Sequence, residues 1–288
     1  METPDEVSSA EIFADYHRRD RSRVLKPLLV IVGLLGVGGI LIASFSVANQ
    51  GQQSAAGSAA GLSTATPGVP LTADNFLSAI SEAGKQAKSG HIAMTVTAAG
   101  ATITMDGDFA DGETAADSVM AAKLNLPPDS DISMRLVGGI VYANFGEKTQ
   151  NKFVSINPAD PASTLGPNFS SLLKRANPAS QSESLADAIS TIEVGGAPEL
   201  IDGVQATPYN VSVKSSVIAA SLGVTGAAAA ALPAELKYVY WVGPDNLIRK
   251  ITIDVAGSVS EITISKWGDP VTITAPTADE IIVIAGLS

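Results

Sequence analysis

A chain of 288 residues with 45% hydrophobic content is long enough to bury a sizeable core, so disorder is confined to segments. Its formal charge of −11, with no stretch of the outer domain concentrating Lys and Arg, excludes a phosphate-binding face and with it nucleic acid as a partner. Cysteine is absent, which excludes disulfides, thiolate metal sites, Cys nucleophiles and a lipidation site together.

The chain opens with a tail, residues 1–26, in which acids and bases interleave, and Glu11–Asp20 reads as a solvated topology determinant, with a short juxtamembrane helix as the alternative. From Pro27 to Val47 no side chain is charged, and a helix over these 21 residues would span about 31 Å, the thickness of a hydrocarbon core. Arg18, Arg19, Arg21, Arg23 and Lys26 precede it and the next charged residue is Asp74, so the pattern predicts a single-pass plasma-membrane anchor with a cytoplasmic N-terminus. The competing reading is a cleaved signal peptide ending near Ser46-Val47-Ala48. Residues 48–70, uncharged and rich in Gly, Ala, Ser, Gln and Pro, read as a flexible linker with an end-to-end distance of roughly 26 Å.

Residues 71–288 read as one extracytoplasmic domain. Thr72 stands as an N-cap before a helix with Phe76, Leu77, Ile80 and Ala83 on one face, and Ser89-Gly90 is expected to end it. The period then changes to two. Ile92, Met94 and Val96 alternate with polar or small residues, as do Ile103, Met105 and Phe109, and Asp111-Gly112 predicts a tight hairpin to a strand with Met120, Ala122 and Leu124 in phase. A further strand places Ile132, Met134 and Leu136 inward, and Gly138-Gly139 turns into the stretch Ile140–Phe145. Residues 161–189 carry helical patterns broken at Asn177-Pro178. Strand patterns resume over 190–213, an Ala-rich helical segment lies between Ser215 and Ala231, and three strands joined at 243–246 and 257–258 close the fold. The predicted class is α+β: a single transmembrane helix, then a large antiparallel sheet with helices covering one face.

Apart from Met1, every methionine (Met94, Met105, Met120, Met134) lies in the apolar phase of one of the first four strands. A sheet face holding several flexible, polarizable thioethers accommodates variable apolar shapes such as acyl chains; an ordinary core in which methionine fills gaps is the competing reading. Catalysis has little to work with. The single histidine outside the tail is His91, read as a solvated strand-edge residue, so a Ser-His-Asp triad would have to be built around it. The acids Asp106, Asp108, Asp111, Glu113 and Asp117 read as a solvated hairpin, because Asp106–Gly112 misses the D-x-D-x-D-G calcium spacing by one position.

Four stretches in order resemble one family: the helix with Phe76 and Ala79 leading into Ser89–Val96, the segment Val137–Tyr142, the segment Asp202–Tyr209 before a strand, and Lys266–Val271 with Ala275-Pro276. Over approximately residues 71–284 the chain resembles the LppX/LprAFG family of actinobacterial envelope lipoproteins, whose fold is similar to that of the lipoprotein carriers LolA and LolB. The resemblance implies a curved antiparallel half-barrel closed by helices, with an apolar cavity for di- and triacylated glycolipids, and no catalytic residues or cofactor. The family's lipobox cysteine is missing; the corresponding place reads Ala43-Ser44-Phe45-Ser46, so the apolar helix would replace the lipid as anchor.

Together these readings predict a noncatalytic protein that binds, and transports or presents, acylated lipids or glycolipids in the cell envelope, with envelope transport proteins as further partners. The expected cavity residues are Phe76, Ile80, Ile92, Met94, Val96, Ile103, Met105, Met120, Ile132, Met134 and Leu136, with the helix around Phe76 as a lid. The alternative is an envelope interaction module with a solid core and a protein partner.

Overall fold

The computed structural model describes residues 71–284, apart from 99, 115, 128–129, 159, 161–187, 223–225, 231 and 256–257. The first element, helix α1 (Phe76–Ala87), starts later than Thr72 suggests. The Asn75 side chain accepts a hydrogen bond from the Thr72 N–H at 2.6 Å and the Thr72 carbonyl accepts one from Phe76, so these four residues form a turn that leads into the helix. Lys88 ends α1 in a left-handed conformation (φ 65°), its N–H returning to the Gly84 carbonyl. Ser89 and Gly90 are therefore the first residues of a strand and not a helix stop. The buried stripe of α1 is Phe76, Ala79, Ile80 and Gly84.

Twelve strands follow: β1 (Ser89–Ala98), β2 (Ala101–Ala110), β3 (Val119–Leu126), β4 (Ser130–Val137), β5 (Ile140–Asn144), β6 (Val154–Ile156), β7 (Ile189–Val194), β8 (Glu199–Ile201), β9 (Val204–Lys214), β10 (Glu235–Val242), β11 (Ile248–Val255) and β12 (Ser258–Ser265). They form one antiparallel sheet in the order β6-β5-β4-β3-β2-β1-β12-β11-β10-β9-β7, with β8 also paired to β9. Two meanders, β1–β6 and β7–β12, thus run outward from a central β1–β12 pair, in which His91 faces Ser265 and Thr97 faces Val259. The β4–β5 turn uses Gly138 and Gly139, both at positive φ (60° and 74°), the backbone that a two-residue hairpin requires. Between β2 and β3, by contrast, the chain takes a longer loop: Asp111-Gly112 begins it, and Ser118 accepts from the Gly112 N–H while donating to Thr114.

One apolar cluster holds the domain together. It joins Phe76 and Ile80 of α1 to Ile92, Val96 and Ile103 of β1 and β2 and to Tyr209, Tyr238, Tyr240, Ile251, Ile253, Ile262 and Ile264 of β9–β12. The face of the sheet beneath α1 is the inner face. A smaller cluster of Val141, Ala143 and Ile156 lies on β5 and β6. The last described residues, 266–284, leave β12, pass Arg135 on the outer face of β4 and meet the chain just before β6, where Phe153 and Ile281 form a parallel bridge.

The expected architecture needs correction. The described residues are dominated by the antiparallel sheet, and besides α1 their α-helices are the short α2 (Ser215–Leu222) and α3 (Ala227–Ala230). An antiparallel meander returns through turns and needs no crossover helices, which is why a layer of helices over one face does not form there. Among the described residues no helix is long and apolar enough to cross a membrane, so the single-pass plasma-membrane placement is not supported. The segments on which that expectation rested (tail 1–26, span 27–47, linker 48–70), together with the helical patterns of 161–187, lie outside the described residues.

Candidate functional site

Directly paired residues of neighbouring strands project to the same side of a sheet. The register therefore places all nine strand residues expected at the cavity on the inner face. Met94 pairs with Met105, Met105 with Leu124 and Leu124 with Ile132; Val96 pairs with Ile103; Ile92 pairs with Gly107, Gly107 with Ala122 and Ala122 with Met134; Phe109 pairs with Met120 and Met120 with Leu136. Gly107 is required in this row, because a Cβ there would lie 2.4 Å from the Ala121 carbonyl oxygen and 2.9 Å from Ala122.

Burial divides the group. Ile92, Val96 and Ile103 are buried in the main core, and Phe76 and Ile80 of α1 are fully enclosed with them. The Phe76 ring meets Tyr209 and Tyr240 edge-on, at centroid distances of 5.9 and 5.4 Å, so it is part of the packed core and not the underside of a loose lid. Met94, Met105, Met120, Ile132, Met134 and Leu136 are only half-buried. The first three pack against the main core, whereas Met134 and Leu136 pack with Phe145 against the smaller Val141–Ala143–Ile156 cluster. The inner face thus runs from a dense region under α1 across β9–β12 to a partly accessible apolar region on β2–β5.

The tyrosines of β9 and β10 escaped the sequence reading. Tyr209, Tyr238 and Tyr240 are inner-face residues, and burial raises the phenol of Tyr238 far above its ordinary range and likewise that of Tyr240, which the neighbouring Tyr238 raises further. The Tyr209 hydroxyl accepts a hydrogen bond from the Leu71 N–H at 3.3 Å, tying the start of the domain to β9. The signal was the alternation in Glu235–Val242, which sequence identified as a strand without assigning its faces.

The outer face carries the polar residues. His91 lies on central strand β1 and not at a sheet edge, with its ring between two carboxylates of β2: Nδ1 is 2.8 Å from Asp108 and Nε2 is 3.2 Å from Asp106. Both carboxylates are largely exposed. Among the described residues, no group of three or more His, Cys, Asp or Glu side chains could hold a metal ion. The arrangement thus gathers an apolar surface on one side of the sheet and solvated charge on the other.

No family model matches the sequence, and no curated protein matches it. Among solved structures, the chain is similar to lipoprotein LppX of Mycobacterium tuberculosis, with 17% identity, 69% of this chain and 96% of that chain covered, and a TM-score of 0.50. The crystal structure of LprF from Mycobacterium bovis has 20% identity, with 72% and 97% covered and a TM-score of 0.49. At these identities the likeness is one of fold. The chain has an LppX-like fold, the fold its four sequence stretches resemble.

Proposed function

We propose that this protein binds the acyl chains of lipids or glycolipids, without catalysis, on the inner face of β2–β5, and that it carries or presents them in a bacterial cell envelope. One observation carries the reading: Met105, Met120, Ile132, Met134 and Leu136 share the inner face of β2–β5, yet stay half-buried where Ile251, Ile253, Ile262 and Ile264 in the same sheet are enclosed. A chain that covers them removes apolar surface from water. Each buried methylene is worth about 0.8 kcal/mol, so a sixteen-carbon chain supplies roughly 12 kcal/mol before association and ordering costs. Flexible thioethers adapt to such chains without demanding one shape. The LppX-like fold supports the reading by analogy, as does the family resemblance of the sequence.

The test is native mass spectrometry of the purified full chain, with organic extraction, beside the same chain carrying Met134→Glu and Leu136→Glu. Lipid at a fixed stoichiometry that is lost from the folded variant is the expected result. Equal lipid in both would overturn this site. A second reading, an interaction module, is favoured by Val194 and Leu200, which stand 57% and 67% exposed around the β7–β8 turn. Lipid-free mass in both chains would move the assignment there.

A further inference from the structure

Residues 266–284 follow the last sheet strand: Trp267 packs edge-on against Phe109 and donates its indole N–H to the Ile248 carbonyl at 2.8 Å, and beyond it the segment touches the domain at three further places. At the first, the Gly268 N–H donates to the Ser89 carbonyl and the Ser89 hydroxyl donates to the Asp269 carbonyl at 2.7 Å. At the second, Arg135 projects from the outer face of β4, donates to the Thr274 carbonyl at 3.3 Å and holds its guanidinium 4.8 Å above the Phe153 ring. At the third, the Phe153 N–H donates to the Glu280 carbonyl and its own carbonyl accepts from Ile282, both at 2.8 Å, while Ile282 and Ile284 pack on Val154. A capping box sets the approach to this last contact, since Glu280 accepts from both the N–H and the hydroxyl of Thr277.

This segment joins central strand β1 to the outermost strand of the first meander. It crosses five strand spacings, about 24 Å in a flat sheet, with thirteen residues from Asp269 to Ile281 whose twelve Cα–Cα steps can extend to about 40 Å. The segment is therefore not taut, and it restrains β4–β6 through its contacts and not through tension. Those strands carry Met134, Leu136, Val141, Ala143 and Ile156, the half of the inner face that lies outside the main core. The edge beside β6 would otherwise offer unpaired backbone groups, a position proteins commonly cover.

We propose that residues 266–284 form a latch, fastened by Arg135 and Phe153, whose release lets β4–β6 swing outward and admits a ligand to the inner face. This inference rests on the acyl-chain reading above. It assigns Arg135 a positioning role: among the described residues its guanidinium meets the latch and the Phe153 ring.

The chain contains no cysteine, so Phe153→Cys with Ile281→Cys yields a single possible disulfide across the bridge, at a neighbouring-strand spacing that such a bond accepts. In the full chain, uptake of a fluorescent palmitate should be about tenfold slower in the oxidised than in the reduced form, and Arg135→Gln alone should speed uptake about tenfold. Hydrogen exchange of β5 and β6 should follow the same order. Equal exchange in the oxidised and reduced forms overturns the latch whatever the lipid result. Exchange that differs while neither form takes up palmitate overturns the acyl-chain reading instead, and the gating role with it.

Discussion

Met94 lies directly across the β1–β2 ladder from Met105, and Met105 faces Leu124 on β3. Both thioethers are half-buried and pack against the main apolar cluster, so this pair marks the boundary between the closed core and the accessible part of the inner face. The boundary decides which substitution can test binding. Met105→Glu would press a carboxylate against the core and should cost about 2 kcal/mol or more of stability, read as a lowered urea midpoint at unchanged slope. Met134 and Leu136 pack against the smaller cluster, so charge there should disturb the fold less.

Phe76 is fully enclosed and touches two tyrosine rings edge-on. Phe76→Ala should lower stability by about 3–5 kcal/mol, because the cavity left between α1, Tyr209 and Tyr240 cannot collapse around a rigid sheet. Denaturant unfolding followed by tyrosine fluorescence checks this. A loss under about 1 kcal/mol would mean that α1 sits loosely and serves as a lid after all.

Gly107 fills a row in which Ile92 and Ala122 flank it from both sides. Gly107→Ala should destabilise by about 1–3 kcal/mol, since the new methyl meets backbone atoms of β3 that can move only with the ladder. The usual gain of alanine over glycine in chain entropy, under about 1 kcal/mol, is outweighed. The midpoint of thermal unfolding reads the sign.

Ser260 is 1% exposed on the inner face, and among the described residues its hydroxyl oxygen finds no hydrogen-bond partner. Ser260→Ala removes a buried, unpaired polar group and should stabilise the domain by about 1 kcal/mol. A destabilised variant would show that the hydroxyl has a partner after all, and lipid extraction from both forms would test whether a bound molecule provides it.

The latch should respond to acid. The Thr277 hydroxyl holds the Asp279 carboxyl below its ordinary value of 3.8, and the backbone hydrogen bond from Thr277, followed by the one from its hydroxyl, holds Glu280 below 4.5. Carboxyls lowered in the folded state contribute stability that is present above their unfolded values and is lost as pH falls through the lowered ones. The protection of the Phe153 and Ile282 N–H groups, corrected for intrinsic exchange, should therefore fall on acidification below about pH 4.5, and Glu280→Gln should flatten that response. Both groups are solvent-exposed, so the effect should shrink in high salt.

Much of the fold was legible because an antiparallel sheet with one buried face writes its period into the chain. Ile132, Met134 and Leu136 alternate with Asp131, Ser133 and Arg135, and the register confirms that alternation residue by residue. The closing strands were found by the same rule, with the 243–246 turn held by the Asn246 N–H on the Gly243 carbonyl. Turn detail was less secure. Asp111-Gly112 carries hairpin residues, but the Ser118 hydroxyl accepts from the Gly112 N–H and donates to the Thr114 carbonyl, which draws the chain into a wider loop. The latch entered the sequence reading only through the resemblance carried by Lys266–Val271 and Ala275-Pro276; its course was not legible, because 266–284 has neither period and its contacts depend on Arg135 and Phe153, more than a hundred residues earlier.

The sequence by itself determined which residues alternate, hence the strand identities and the apolar phase that each of the four methionines occupies in its own strand, because a period of two survives without knowledge of neighbours. Only the tertiary structure decided that β1 pairs with β12 at the centre, that Phe76 belongs to a closed core while Met134 and Leu136 stay half-open, and that residues 280–284 meet the chain at β6. Those are relations between segments far apart in sequence, set by which apolar surfaces meet first and pack best, and no local pattern encodes them.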